Sequence, residues 1–373
     1  MLSTSLSYNL ITRDLDRSLT RVENQPMVAR ETAYFQENIG KITSIDDFVA
    51  DTRLFNYAMK AFGLQDMAYA KAFMVKAMEE GVSDPNSFAN RLSDKRYAEF
   101  VRVFNFAQYG EDAIGANPAV AGTANQYVAR ITLDGVLPES EAVKAETKYF
   151  KETMAEVESI DDFLADDRLY KYAMYAFDIS AEEADAGFLR KVLEGGISDP
   201  QSFANQQSEP KFAAFAAAFD FMKYGEQLTT RRPAVDAAVS GYMRQTLEEN
   251  AGAQNEGVRL ALYFERKAPQ MKSFMQILAD PAMAQVVRTA LGLPDSFGQA
   301  DIDRQAALFE KRLDIEDFKD PEALSKFMRR FTAMWEVSNV SPAATSPALA
   351  ILSQSGQLGI SQDTLAAIAL MKR

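Results

Sequence analysis

Residues 44–62 read SIDDFVADTRLFNYAMKAF, three aspartates and an arginine threaded through an apolar run. Either the acids form a site that does chemistry, or they belong to the construction of a helix pair. The same pattern returns at 159–177 as SIDDFLADDRLYKYAMYAF and, worn, at 273–291 as SFMQILADPAMAQVVRTAL. Apolar character is kept at Ile45/Ile160/Phe274, Phe48/Phe163/Ile277, Leu54/Leu169/Met283, Tyr57/Tyr172/Val286 and Phe62/Phe177/Leu291. The polar set is not: Asp46 and Asp47 become Met275 and Gln276, and Arg53 becomes Ala282.

Two polar features survive in all three. Ser44, Ser159 and Ser273 are followed three residues later by Asp47, Asp162 or Gln276, a capping-box pattern that starts a helix. Asp51, Asp166 and Asp280 also persist, and Pro281 follows the last directly. Proline deep inside a helix costs roughly 3 kcal/mol, whereas at the first helical position it costs almost nothing. The spacing therefore predicts a short helix over about 45–50, a break with Asp51 as N-cap, and a second helix over about 52–62 ending at Gly63.

Working outward, residues 31–111 align without a gap onto 146–226, with roughly 38 of 81 positions identical. Tyr34-Phe35, Tyr149-Phe150 and Tyr263-Phe264 mark the start of each copy, and Asp84/Phe88, Asp199/Phe203 and Asp314/Phe318 mark a later point. A period of about 115 residues has the length of a domain rather than of a solenoid repeat. Each copy reads as helical, with about five or six helices and no strand alternation or hairpin turn. In copy two, 140–159 reads as one helix capped by Ser140. Ser180 and Glu183 read as the capping box of a helix stopped by Gly195-Gly196. Asp199 reads as an N-cap with Pro200 following it, and the run from Pro210 to Gly225 reads as a single helix.

The expected architecture is all-α, three tandem helical-bundle domains with helical N- and C-terminal extensions. The expected boundaries are 1–114 for the first repeat with an N-terminal helix striped by Tyr8, Ile11, Leu15, Leu19 and Val22, 115–229 for the second, 230–338 for the divergent third, and 339–373 for a helical tail.

Composition narrows function. The chain has 373 residues, net charge −13 and a sequence pI near 4.8, which disfavours a nonspecific grip on nucleic acid or anionic lipid. Cysteine and histidine are both absent, removing disulfides, thiolate metal sites and Ser-His or Cys-His nucleophiles. Catalysis would have to rest on carboxylates, Lys, Arg or Tyr. The first residues lack the basic and apolar regions of a Sec signal, and no apolar run is long enough to span a membrane.

The acidic pairs Asp46-Asp47 and Asp161-Asp162 are the candidates for chemistry. Neighbouring helical acids point about 100° apart, and the stretch lacks the glycine and terminal Glu of an EF-hand loop. Capping and a solvated face are the favoured reading, so no catalytic, cofactor-binding or metal residue is assigned and no cofactor is expected. The Phe rows (Phe100, Phe104, Phe106; Phe215, Phe219, Phe221) read as core, SFAN at 87–90 and 202–205 as a helix start with one core Phe, and Trp335 as part of the last helix of copy three.

The motif set ETxYF…SIDDFxADxRLxxYAMxAF, EGxSDPxSFAN (whose Glu-Gly is Gly-Gly in copy two) and the closing FxFxxYGE resembles the alphaproteobacterial family called domain of unknown function 1217. Genes of that family commonly sit in flagellar gene clusters, and the family has no established activity. The resemblance implies a flagellum-associated protein working through protein partners, as structural component or assembly accessory, exported without a Sec signal. Self-association stays open. The rival readings are a cytoplasmic export chaperone or regulator, and an enzyme or metal-binding protein built on the acidic pairs.

Overall fold

The computed structural model describes residues 3–339, and every regular element among them is helical. Two short helices lead, α1 (Thr4–Thr12) and α2 (Leu15–Glu23). The first copy holds α3 (Pro26–Asn38), α4 (Ile45–Ala50), α5 (Thr52–Ala61), α6 (Lys71–Glu80), α7 (Phe88–Arg91), α8 (Arg96–Val103) and α9 (Phe106–Tyr109). After a turn of π-helix, α10 (Thr123–Leu133) leads into the second copy. That copy comprises α11 (Glu141–Met154), α12 (Ile160–Ala165), α13 (Asp167–Ala176), α14 (Ala186–Glu194), α15 (Pro210–Ala218) and α16 (Phe221–Tyr224). The long α17 (Pro233–Gln254) precedes the third: α18 (Glu256–Lys267), α19 (Phe274–Leu278), α20 (Pro281–Ala290), α21 (Ile302–Arg312) and α22 (Pro321–Asn339). The fold is all-α with the unit repeated in tandem. Of the expected C-terminal tail, 339–373, Asn339 is the last residue of α22 and the rest lies outside the described residues.

The helix pair of the opening stretch forms where its caps dictate. Ser44 Oγ accepts the Asp47 N–H at 3.0 Å, Ser159 that of Asp162 at 3.1 Å, and Ser273 that of Gln276 at 3.4 Å. Asp51, Asp166 and Asp280 cap the second helix of each pair, and Pro281 stands at its first turn. The reciprocal arm of the box lands one residue earlier than its usual target. The side chains of Asp162 and Gln276 accept N–H groups from Glu158 and Lys272, and Asp47 takes the Thr43 hydroxyl. Each second helix closes with a Schellman pair, Leu64 N–H to Met59 O and Gly63 N–H to Lys60 O in copy one. The left-handed position is Gly63 or Gly292, but Asp178 in copy two, the single non-glycine residue with positive φ among those described.

Several expected elements end elsewhere. The predicted helix over 140–159 stops at Met154, although Ser140 does cap it. Ser180 does not start its helix; Asp185 does, accepting the Phe188 N–H at 2.7 Å, while Glu183 is held by the Ser180 N–H and by Lys211 Nζ. Asp199 caps no helix. It closes a tight turn onto the Gln201 N–H at 2.8 Å, as Asp84 does onto Asn86 and Asp314 onto Glu316. The SFAN asparagines pin that turn, with Asn90 Nδ2 donating to Val82 O and Asp84 O and Asn205 Nδ2 to Ile197 O and Asp199 O. In copy two, no helix forms at SFAN.

The run from Pro210 breaks at Phe219, where Asp220 accepts the Lys223 N–H and starts α16; Asn105 does the same for α9. Trp335 stands 115 residues beyond Asp220, and without a capping side chain there α22 runs on unbroken. The predicted N-terminal helix is two helices, separated at Arg13-Asp14.

Phenylalanines fill the bundles. Phe48 and Phe163 are fully buried, each burial contributing about 2–3 kcal/mol. Phe48 lies 4.9 Å from Phe104, and Phe163 lies 4.8 Å from Phe219. Phe62 meets Phe100 edge-on at 5.4 Å, and Phe177 meets Phe215 likewise at 5.4 Å. Copy three packs Phe264, Phe274, Phe309, Phe318 and Phe327 instead. The described residues divide into two compact units, Asp16–Leu247 with the first two copies, and residues 3–15 together with 248–339. The short α1 thus segregates with copy three rather than with the copy it precedes.

Candidate functional site

One aspartate per copy gathers hydrogen bonds that all three copies retain. Asp51 Oδ1 accepts the N–H groups of Arg53 and Leu54, both at 3.0 Å, and Asp51 Oδ2 accepts the Tyr34 hydroxyl at 2.9 Å. Tyr149 and Asp166 make the same bond, and Tyr263 donates to Asp280 Oδ2 at 2.6 Å. An N-cap thereby fastens the first helix of the bundle to the third. The tyrosine was legible as a repeat marker, but its link to an aspartate seventeen residues on was not.

In copies one and two a second layer covers this bond. Arg53 grips Glu31 with two nitrogens at 2.7 and 3.1 Å, and its guanidinium lies 3.8 Å over the Tyr34 ring. Arg168 does the same with Glu146 at 3.0 and 2.8 Å and with the Tyr149 ring at 3.8 Å. Copy three has Ala282 and buried Leu260 at these places. The cation over its tyrosine ring, at 5.3 Å, is Arg266, which pairs with Glu248 through two bonds of 2.8 Å to a carboxylate whose side chain is 2% exposed.

The electrostatics follow from these bonds. Burial opposes ionisation of Asp51, yet the Leu54 N–H, the Tyr34 hydroxyl, the Arg53 N–H and the Arg53 charge together hold its carboxyl below the usual value. For Asp166 the Tyr149 hydroxyl is the main cause of the same lowering. Tyr34 and Tyr149 are in turn pushed up, chiefly by donating to those carboxylates. The opposite shifts of tyrosine and aspartate have one cause in common, the hydrogen bond between them.

The acidic pairs stand apart from this centre. Asp46, Asp47, Asp161 and Asp162 are all exposed, in the first turns of α4 and α12. Asp47 Oδ2 takes the Ser44 hydroxyl at 2.7 Å, Asp162 Oδ2 that of Ser159 at 2.7 Å, and Asp161 pairs with Arg190 at 2.6 Å. Among the described residues no group of three or more Asp and Glu side chains is placed to hold a metal ion.

A shallow groove of about 390 Å³ lies beside the Arg53–Glu31 pair, walled by Asn56, Lys60, Tyr57 and Tyr242. Two of its walls belong to a stack of rings, with Tyr242 3.9 Å from Tyr57 and Tyr57 4.3 Å from the buried Phe35. Burial raises the Tyr57 hydroxyl, which shares a 3.0 Å bond with Thr32. Copy two repeats the stack with Tyr127, Tyr172 and Phe150 at 3.8 and 4.4 Å. Sequence reasoning missed both outer tyrosines, although they stand 115 residues apart. Another groove, of about 510 Å³, runs between α1 and copy three past Tyr8, Thr12, Glu265, Phe318 and Leu324. None of the acidic pairs lines either groove. No described helix is long and apolar enough to cross a membrane.

The family model described as "Protein of unknown function (DUF1217)" matches residues 61–187 and 176–324, two segments whose starts lie one repeat period apart. No curated protein matches. A crystal structure of the protein AGR_C_984 from Agrobacterium tumefaciens is 37% identical, covering 90% of this chain and 94% of that one, with a TM-score of 0.56. The helical repeat, its motifs and these two matches agree, and the chain belongs to the DUF1217 family.

Proposed function

We propose that the protein acts by protein–protein contact in the bacterial flagellum, as a structural component or assembly accessory, without catalysis of its own. The observation that carries this reading is the employment of the acidic stretch. The aspartate retained in every copy is spent on two backbone N–H groups and a tyrosine hydroxyl, so the repeat preserves a folding unit rather than a reactive centre. Three related bundles along one chain present similar faces to a symmetric partner. A net charge of −13 keeps such a chain soluble and steers it towards partners that are not themselves acidic. The flagellar setting follows from the family resemblance, through the gene clusters in which members commonly occur.

The test is fractionation of flagellate cells combined with gene deletion. The expected result is protein in the purified filament or hook–basal body and altered motility or filament morphology on deletion. Protein confined to the cytosol, bound to one unfolded axial subunit, replaces this reading with an export chaperone. Normal flagella without the protein overturn it.

A further inference from the structure

The repeat reaches one helix further back than its sequence identity does. Pro118-Ala119-Val120 ahead of α10 and Pro233-Ala234-Val235 at the start of α17 are 115 residues apart, as are Tyr127 and Tyr242. Each tyrosine closes a three-ring stack, so α10 and α17 are equivalent leading helices. They serve different hosts. The tyrosine of α10 packs on copy two, which follows it. That of α17, which precedes copy three, packs on copy one, and a Cβ at Gly241 would lie 2.5 Å from Ala61 O of α5.

Copy three instead takes α1 from the start of the chain. Tyr8 is buried in its core with Val258, Leu262 and Phe331. Asn255 Nδ2 donates to Thr4 Oγ1 at 2.9 Å, and the Thr4 N–H donates to Glu336 Oε2 at 2.9 Å. Copies one and three have exchanged their leading helices within one chain.

We propose that α1 is an exchangeable arm, and that the copy-three bundle accepts it from a second copy of this chain as well as from its own. A nine-residue helix is not stable alone in water, so α1 exists only when docked. Its host is built from residues beyond 248, distant in sequence, and a second copy offers the identical surface. The arm leaves the chain at the exposed pair Arg13-Asp14, where the N-terminal helix breaks. Exchange between molecules remakes every contact, so the balance is set by the effective concentration of the tethered arm against that of free chains. The arm carries no charge, and its outward Leu6 and Leu10 are 46% and 55% exposed, apolar surface that closer association of copies removes from water. This exchange goes beyond the flagellar reading and does not depend on it.

The chain has no cysteine, so Thr4→Cys and Asn255→Cys place two thiols at one contact of the arm. The full-length single variants are mixed in equal amounts, incubated and treated with a short bismaleimide. Linked peptides are then identified by mass spectrometry. The expected result is a covalent heterodimer joined through the two introduced thiols, increasing with concentration and reduced several-fold by Tyr8→Ala in the Thr4→Cys chain. The double variant on one chain is expected to link internally. A double variant that links internally while the mixture never forms that heterodimer overturns the exchange. A double variant that does not link overturns the docking of α1 itself. Either result leaves the flagellar fractionation unaffected, so the two readings fail separately.

Discussion

Tyr34 donates its hydroxyl to Asp51 Oδ2 at 2.9 Å while Asp51 Oδ1 holds two N–H groups of the next helix, and Tyr263 and Asp280 repeat the arrangement in a copy that has lost most of the surrounding motif. A bond that outlives its neighbours is one the bundle needs. The aspartate sets where a helix starts, and the tyrosine sets what that helix packs against.

Removing the cap is expected to cost more than removing the bond to it. Asp51→Ala should lower stability by about 1–2 kcal/mol, the range for a lost N-cap. Tyr34→Phe should lower it less, because it removes one hydrogen bond and leaves the cap in place. Urea unfolding followed by far-UV circular dichroism measures both. Equal stability of Asp51→Ala and wild type would show that the cap is dispensable.

Acid should find the same site. Asp51 and Asp166 have carboxyls held below the ordinary aspartate value, so each contributes stability that is fully present above that value and is lost as pH falls through the lower folded one. Asn also caps helices but carries no charge. The combined Asp51→Asn, Asp166→Asn variant is therefore expected to lose less stability than wild type on acidification below about pH 4, near the ordinary carboxyl value. Parallel pH profiles for the two proteins would contradict the assignment.

Gly241 marks the closest approach of α17 to α5, and Gly241→Val drives a side chain into Ala61 O. The expected cost is about 1–3 kcal/mol, as for other overpacked contacts. Gln126, its counterpart in α10, already carries a side chain, so Gln126→Val should change little. Thermal unfolding of the pair compares the two positions directly.

The single Trp335 gives copy three its own reporter, since it packs on Phe331 at 5.8 Å and lies against Gly257. Arg266→Leu leaves the Glu248 carboxylate, 2% exposed, without its bidentate partner. A loss of about 1.5–3 kcal/mol is expected, the scale for hydrogen bonds to a charged group. Tryptophan fluorescence should register it as a lower unfolding midpoint. An unchanged midpoint would show that Glu248 does not need this cation.

Much of the fold was legible because caps act locally. Ser44, Asp51 and Pro281 decide helix ends within four residues, and the proline in one copy explains the aspartate in the other two. Reading failed where a polar residue nearby competed for the same role. Asp185 outbid Ser180 for the helix start, Asp199 closed a turn rather than a helix, and Asp220, buried inside an apolar run, broke a helix that periodicity made continuous. The site was half legible. Its residues stood out by recurrence, but the tyrosine-to-aspartate bond joins positions seventeen apart on different helices, where no periodicity points.

The sequence by itself determined an all-helical chain, its threefold repeat, the caps of the signature stretch and which faces had to be buried. It did not determine the partners of those faces. Three related bundles offer three similar surfaces to each leading helix, and an apolar stripe records that it needs cover without recording whose. Only the tertiary structure assigned α17 to copy one, through Gly241 and the Tyr57 ring, and α1 to copy three, through Tyr8 and Asn255. Close packing and ring stacking depend on shape at contact distance, which hydrophobic pattern does not encode.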